Sequence, residues 1–414
     1  MSETRILQIA HDHPDWTPGG TEIVAHDLSR ALDARDGVAC RLLVAATSLQ
    51  RPGAEPGRLG AHGGDLTLRT GAYDRFSMMR LDGDGWLASL DQALRVVRPT
   101  VVHLHGLDRI GAAVLPALRR LAPEARIVLT LHDYQLICPN EGLLLTTGAG
   151  ARCRGAQPDA CRRCFPELAA SRHALRRAHL VALLANVDAF VAPSVFLRDR
   201  FLAWGLDPAR IALVPNAAAT ADDVGWPVEP ARDRRDRFAF FGSVAPHKGV
   251  LTLLDAAARL GDAARVAIHG GLRPADDAFR AAFAEALAAA RPTAEHFGPY
   301  DRADAGALMR GADWIVVPSL WWENAPLVIE EARAAGRPVI CSGMGGMAEM
   351  VRHGVDGLHT PPGDAAALAE TMRAAAADPA LWTRLAARAA PASHAAFVDA
   401  HLELYQQLPT RMAA

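Results

Sequence analysis

The 414-residue chain has no apolar run near the ~18 residues that a membrane-spanning helix requires. Its most apolar stretch, around Leu180 to Ala192, is broken by Asn186 and Asp188. The N-terminus, MSETRILQIAHDH, lacks the apolar segment of an export signal, and Arg5 to Ala10 reads as a strand. An excess of one charge is also missing. Lys plus Arg number 44 and Asp plus Glu 46, a net −2, so no global field gathers nucleic acid and any anion site has to be local. Six cysteines are too few for a secreted disulfide scaffold. Glycine (34) and proline (27) are too few for a disordered chain. These absences predict a cytoplasmic protein, with the inner face of the membrane as the alternative setting.

At ~150 residues per domain, the length predicts two or three domains. Short β-branched or apolar runs alternate with helical patterns throughout: Ile6–Ala10, Arg41–Ala46, Val101–His105, Ile127–Leu131, Ala189–Pro193 and Ile211–Val214, then Phe238–Phe241, Arg265–His269, Ala312–Pro318 and Pro338–Ser342. Between them lie Ala-rich amphipathic stretches such as Leu251–Leu260, Ala278–Ala290 and Pro326–Ala335. Runs apolar on both sides suit parallel strands covered by helices on both faces, an α/β doubly wound fold. The pattern restarts after Pro215–Asn216, and the aperiodic stretch Ala217 to Arg237, with Pro227 and Pro230, reads as a linker. The expected domains are residues 1–220 and 221–390, both Rossmann-like and facing across a cleft. Residues 391–414 would carry a helix, about Ala395 to Gln407, that crosses back to the first domain.

Two ligand fingerprints are absent as well. GGTE (Gly19–Glu22) does not match G-x-G-x-x-G, which weakens a dehydrogenase reading, although Gly19 and Gly20 still let backbone approach a ligand closely. FGSVAPHKGV (Phe241–Val250) is not a P-loop, because His247 stands where a glycine must precede the lysine. Lys248 nevertheless sits in a strand-to-helix turn from which an ammonium can reach a phosphate.

The strongest motif is WWENAPLVIEEARAAGRPVICSGMGGMAEMV, Trp321 to Val351. Pro326 marks a helix start, whose first amides, Leu327 and Val328, form an anion site. Glu323 before that helix and Glu331 inside it can accept from sugar hydroxyls on either side of a phosphate. Glu330 reads as an ordinary surface acid. HLHG (His103–Gly106) and LHDY (Leu131–Tyr134) put histidines at the ends of two strands, where ligands of such sheets bind. His132 and Asp133 are the functional candidates of that pair, and His103 is expected to pack.

Together these residues resemble the nucleotide-sugar-dependent glycosyltransferases of the GT-B fold, family 4 type, the large group of bacterial glycan mannosyl- and glucosyltransferases. The resemblance runs from GGTE through LHDY, VPNA and the Lys248 turn to the Glu323/Glu331 motif. It implies a retaining hexosyl transfer from a UDP- or GDP-linked sugar to a glycan, lipid-linked or natural-product hydroxyl, with no metal at the chemistry. It implies that Lys248 contacts the diphosphate, Glu331 the ribose and Glu323 the donor sugar, with His132 as the third catalytic group. Gly19, Gly20, Ser243, Asn324, Ala325, Pro326, Leu327 and Val328 would complete the donor site. His105, Asp133 and Tyr134 would lie on the acceptor side. Ser243 departs from the family pattern, which often has Arg there, and Arg273 is a candidate substitute. A sugar-nucleotide epimerase of the same fold and a non-catalytic sugar-nucleotide-binding protein are the alternatives.

Cys138, Cys153, Cys161 and Cys164 follow LHDY, the last two as CRRC, and suggest a structural Zn(Cys)4 clip. Free thiols, a labile disulfide or an iron–sulfur cluster stay open. Cys40 and Cys341 are expected to be buried small hydrophobes. Arg152, Arg154, Arg162 and Arg163 interleave with the loop cysteines, and Arg172, Arg176 and Arg177 follow on a helix. They read as a solvated basic face, or as one meeting an anionic membrane surface or lipid-linked acceptor.

Overall fold

The computed structural model describes residues 3–46, 55–80, 85–148, 150–218, 233–272 and 277–409. The chain forms two compact units, Met1–Pro215 with Ala395–Ala414, and Asn216–His394.

The first unit is built on an eight-stranded sheet. Its strands are β1 (Thr4–Ala10), β2 (Val38–Ala46), β3 (Gly60–His62) and β4 (Asp65–Arg69), then β7 (Val101–His105), β8 (Arg126–Thr130), β9 (Ala189–Ala192) and β10 (Ile211–Leu213). A separate hairpin pairs β5 (Tyr73–Asp74) with β6 (Met79–Arg80). The sheet order is β10-β9-β8-β7-β1-β2-β4-β3, parallel except for the last pair. The order reverses between β1 and β7. The terminal helix, His394–Gln407, packs on this unit through Phe397, Val398, His401 and Tyr405.

The second unit has six parallel strands, β11 (Arg237–Phe241), β12 (Arg265–His269), β13 (Ala294–Gly298), β14 (Trp314–Val317), β15 (Val339–Ser342) and β16 (Gly357–Thr360). Their order, β13-β12-β11-β14-β15-β16, is that of a dinucleotide-binding fold and reverses between β11 and β14. The apolar runs have a direct packing reason. Phe238, Phe240, Trp314, Val316 and Ile340 face one core, and Ala239, Phe241, Ile315, Val317, Val339 and Cys341 face the other. Ala256, Ala257 and Ala375 are fully buried, and such small side chains let the helices Val250–Leu260 and Ala365–Ala377 approach closely.

The expected strands are present, Val101–His105 and Arg265–His269 with the same ends and the others shifted by at most three residues, but β3 to β6, β13 and β16 were not anticipated. Glu295 and His296 in β13, and His359 in β16, interrupt an apolar reading of those edge strands. The interdomain stretch is shorter than its composition suggested, and residues 219–232 of it lie outside the described residues. Arg235 belongs to the second unit: it is buried, 3.9 Å over the Trp382 ring and paired with Asp313 at 3.3 Å. Arg237 opens β11 rather than closing the linker. Among the described residues no helix is long and apolar enough to cross a membrane.

Candidate active site

In the second unit the turns after β11 and β14 emerge where the sheet order reverses, the place at which such sheets bind ligands. Two features fix the first turn. Leu320 N–H donates to the His247 carbonyl at 2.8 Å, tying it to the loop after β14. Gly249 has φ +72°, and a Cβ there would stand 1.9 Å from the Pro318 carbonyl oxygen, so only glycine permits the approach. Lys248, on the single helical turn Pro246–Lys248, then reaches across the gap.

Its Nζ donates to Glu323 Oε1 at 2.6 Å, and the Ser319 hydroxyl donates to the same oxygen at 2.8 Å. The Trp321 ring lies 5.4 Å from the ammonium. Burial alone would raise the Glu323 carboxyl, but the Lys248 ammonium and the Ser319 hydroxyl outweigh it and hold it below the usual range. The Glu323–Asn324 backbone is seated on the loop after β15. Gly346 N–H donates to the Glu323 carbonyl at 2.9 Å, and a Cβ on Gly346 would meet the Asn324 oxygen at 1.4 Å. Asn216 donates to the Ala325 carbonyl at 3.3 Å.

The helix Leu327–Ala334 follows, with Pro326 as its cap and the Leu327 and Val328 amides without partners inside the helix. Glu331 is partly buried and raises the Tyr300 phenol by its charge, after burial as the larger cause. Glu330 is no surface acid. It is 2% exposed, paired with Arg333 at 2.7 Å, and accepts from Ala392 N–H at 2.7 Å, which makes it a structural carboxylate. Ser243 is partly exposed in the same turn as Lys248, whereas Arg273 lies outside the described residues. An aromatic tier also stands at this sheet edge. His269 stacks on Phe241 at 4.8 Å and on Phe297 at 5.0 Å, and Phe297 is exposed. Tyr300 stands edge-on to Phe241 at 5.4 Å, and His269 carries no signal in the sequence beyond its place at a strand end.

In the first unit the GGTE glycines serve an ion pair that the sequence did not suggest. Gly19 caps the helix Gly20–Asp33, and a Cβ on it would meet Glu22 Oε2 at 2.4 Å. That space lets Glu22 fold back to His11, Oε1 to Nε2, at 2.8 Å. Burial works against charge on His11, yet the Glu22 carboxylate wins and raises it to about 9, while Glu22 is held below its ordinary value. A group raised by its partner stabilises the fold fully below its unfolded value near 6.5, and that contribution is lost as pH rises through about 9. Glu22→Gln is therefore expected to cost most stability near pH 6 and progressively less toward pH 10. Denaturant melts across that range check it, and a constant deficit would contradict the pairing.

His132 and Asp133 leave β8 at the same edge. Burial lowers His132 to about 3 and raises Asp133 to about 6. His105 and Tyr134, expected beside an acceptor, are both 0% exposed and reach a ligand only through their neighbours. His103 is buried too. The arginine series divides: Arg152, Arg154, Arg162, Arg163 and Arg172 are exposed, but Arg176 is 6% exposed and donates to the Leu136 carbonyl at 2.7 Å, clamping the chain after LHDY. A buried clamp is no part of a solvated face.

The four loop cysteines are partly buried, and Cys40 and Cys341 are buried. Burial pushes the Cys138 thiol up to about 11, with Cys153 and Cys161 near enough to add to it. Cys161 is raised likewise, with contributions from Cys153 and Cys164. Among the described residues the groups of three ligand atoms within 4.8 Å are His13/Asp15/His62 and His13/His26/Asp65, not the thiols. In both groups His13 is already committed. Its Nδ1 accepts from Asp15 N–H at 3.1 Å, so Nε2 carries the proton toward Asp65 at 3.3 Å, and Arg30 holds the other Asp65 oxygen at 2.9 Å. That is an ion-pair network rather than a vacant ligand set.

Two doubly wound units, each with one reversal of strand order, are the architecture of the GT-B class of glycosyltransferases. The family model for glycosyltransferase family 4 matches residues 18–222, and that for glycosyl transferases group 1 matches residues 235–378. The D-inositol 3-phosphate glycosyltransferase of Xylanimonas cellulosilytica is 26% identical over 95% of this chain and 94% of its own. Among solved structures, Thermosynechococcus elongatus sucrose-phosphate synthase superposes with TM-score 0.74 at 20% identity, covering 98% of this chain and 99% of the other. Anabaena HepE, in complex with UDP and glucose, gives 0.70 at 17% identity, covering 98% and 100%. The chain is a GT-B glycosyltransferase of the family 4 type.

Proposed function

We propose that the protein is a retaining transferase that moves a hexose from a UDP- or GDP-linked sugar to a glycan, lipid-linked or natural-product hydroxyl. The Lys248–Glu323 contact carries this reading. It holds one cation ready at the reversal point, beside the helix start at Pro326. In the proposed reaction the diphosphate leaves, and its new charge is taken by Lys248 and the Leu327 and Val328 amides, a preorganised electrostatic stabilisation. A leaving-phosphate oxygen accepts the acceptor's proton on the same face, so no carboxylate base is needed. Glu331 holds the ribose, Glu323 the hydroxyls of the transferring sugar, and His132 the sugar ring. The complexes with UDP and glucose of the HepE neighbour and the name of the Xylanimonas relative support a nucleotide-sugar donor and a polyol acceptor. The anomeric configuration of the product, read by proton NMR from an α-linked donor, tests the reading. An α-linked product supports it and a β-linked one ends it. Change in the donor sugar without any acceptor would instead identify an epimerase.

The four-cysteine loop is proposed as a zinc clip that orders the chain after LHDY. Cys161 lies within electrostatic reach of the other three loop thiols, four cysteines are a donor set that zinc prefers, and the ion would draw the sulfurs to coordination distance. About one zinc per chain is expected by elemental analysis. Cys161→Ser with Cys164→Ser should remove it and impair transfer while nucleotide binding persists. Protein lacking both zinc and iron, with all four thiols freely titratable, would refute the clip; iron with sulfide would replace it by a cluster.

A further inference from the structure

The exposed arginines that follow LHDY differ from the paired arginines elsewhere in the first unit. Arg30, Arg35, Arg41, Arg58, Arg95 and Arg119 each hold a carboxylate oxygen within 3.1 Å. Arg154, Arg162, Arg163 and Arg172 are exposed, and among the described residues none of them forms an ion pair. Between residues 152 and 182 seven arginines stand against two acids, Asp159 and Glu167, in a chain whose net charge is −2. Like charges gathered in this way repel one another, so the cluster adds nothing to the fold unless an opposite surface meets it.

The helix Ala170–Leu184 shows the chemistry of that surface. Its inner face is His173, Arg176, Leu180 and Leu184, all buried. On the outer face Leu175, Ala178 and Ala182 fall at i, i+3 and i+7 and form one stripe. Ala174 and Val181, seven apart, run along one side of it, and Arg172 and His179, also seven apart, along the other. All of these are exposed, Leu175 by 64% and Val181 by 39%. The short helix Pro158–Cys164, packed on this one, adds Arg162 and Arg163. An aliphatic stripe bordered by guanidinium groups is the pattern of a helix that lies in a membrane interface. The apolar side chains enter the acyl boundary while the arginines meet lipid phosphates. Nucleic acid would satisfy the charges but leave the stripe in water, and the helix has no Phe, Tyr or Trp on which a base could stack.

We propose that the outer face of the helix Ala170–Leu184, with Arg162 and Arg163, docks the protein on a bilayer rich in anionic lipid. The docking bears on the acceptor. Arg176, on the inner face of the same helix, donates to the Gln135 and Leu136 carbonyls. The helix that meets the membrane therefore also holds the chain just past His132 and Asp133. A hydroxyl presented at the bilayer surface is the acceptor such an arrangement suits, which selects the lipid-linked class among those proposed above. That selection, unlike the docking itself, rests on the transferase reading.

Flotation of the full chain with lipid vesicles tests the docking. Vesicles of equal parts phosphatidylglycerol and phosphatidylcholine should carry the protein, phosphatidylcholine alone should not, and added salt should weaken the binding. Arg163→Gln with Arg172→Gln should weaken it about 30-fold, through the loss of two charges at the lipid surface. Leu175→Gln should weaken it about tenfold by removing the largest side chain of the stripe. These positions are exposed, so thermal melts of the variants should match wild type. Val96→Gln, at a similarly exposed aliphatic on another helix, should leave vesicle binding unchanged. Equal binding to both kinds of vesicle, or undiminished binding in either stripe variant, would overturn the proposal. So would a dimer in solution that Leu175→Gln dissociates, because a second copy of the chain would then own the face. Flotation needs neither donor nor acceptor, so its failure is distinct from a failure of the transferase reading, which the product's configuration reports.

Discussion

Lys248→Ala is expected to lower turnover with saturating donor by ~100-fold or more, the usual cost, ~3 kcal/mol, of removing one preorganised charge stabiliser from a transition state. The structure adds a stability cost, because Glu323 is 5% exposed and loses its ion-pair partner. That cost stays below the ~3–5 kcal/mol of a fully buried pair, since the Lys248 side chain is 27% exposed. Its pH dependence follows from the lowered Glu323 carboxyl. The contribution is present above the ordinary value of 4.5 and is lost as pH falls through the folded value. The gap in stability between wild type and variant should therefore be full at neutral pH and close in acid. Lys248→Ala with Glu323→Gln removes the orphaned charge and should recover most of the stability but none of the turnover. Steady-state kinetics beside urea melts of the three proteins separate the two effects. Near-normal turnover in Lys248→Ala would sink the catalytic assignment.

The two carboxylates should fail differently. Glu331→Ala is expected to weaken free nucleotide diphosphate by roughly 10- to 100-fold, the worth of a hydrogen bond to a charged group. Glu323→Ala should weaken the intact sugar donor more than the free nucleotide. Their separation motivates this. Glu323 is fixed by Lys248 and Ser319 before the helix, whereas Glu331 lies inside it, more than a turn further on, toward Tyr300. Calorimetric titration with nucleotide and with donor gives four affinities. Equal losses for both ligands in both variants would remove the division of roles.

The alternation of apolar runs and helical stretches made the doubly wound fold legible, because a strand such as Phe238–Phe241 has to feed two cores. Edge strands gave no such signal: β13 and β16 carry polar residues and bury one side less deeply. Lys248, Glu323 and Pro326 stood out because a turn, a strand end and a helix start lie within short stretches of sequence. The His11–Glu22 pair was hidden, since Glu22 looked like part of a glycine turn and its partner lies eleven residues earlier. The buried polar face of the first sheet, Gln8 with His103 and His105, was half visible. His103 and His105 alternate on one strand, as do Gln8 and Ala10 on another, but the partner that unites them, Tyr405, comes from the far end of the chain. No local pattern announces a contact across that separation.

Thermal unfolding of wild type and Glu331→Ala with UDP, GDP and ADP tests the central claim most directly. A ligand at about 100 times its dissociation constant adds ~2.7 kcal/mol to the folded state. One of the uridine or guanosine diphosphates should raise the wild-type midpoint clearly, ADP should raise it less, and the Glu331→Ala midpoint should move little at the same concentration. No response to any of the three at millimolar concentration, or an equal response in Glu331→Ala, would contradict a nucleotide-sugar site at the β11/β14 reversal.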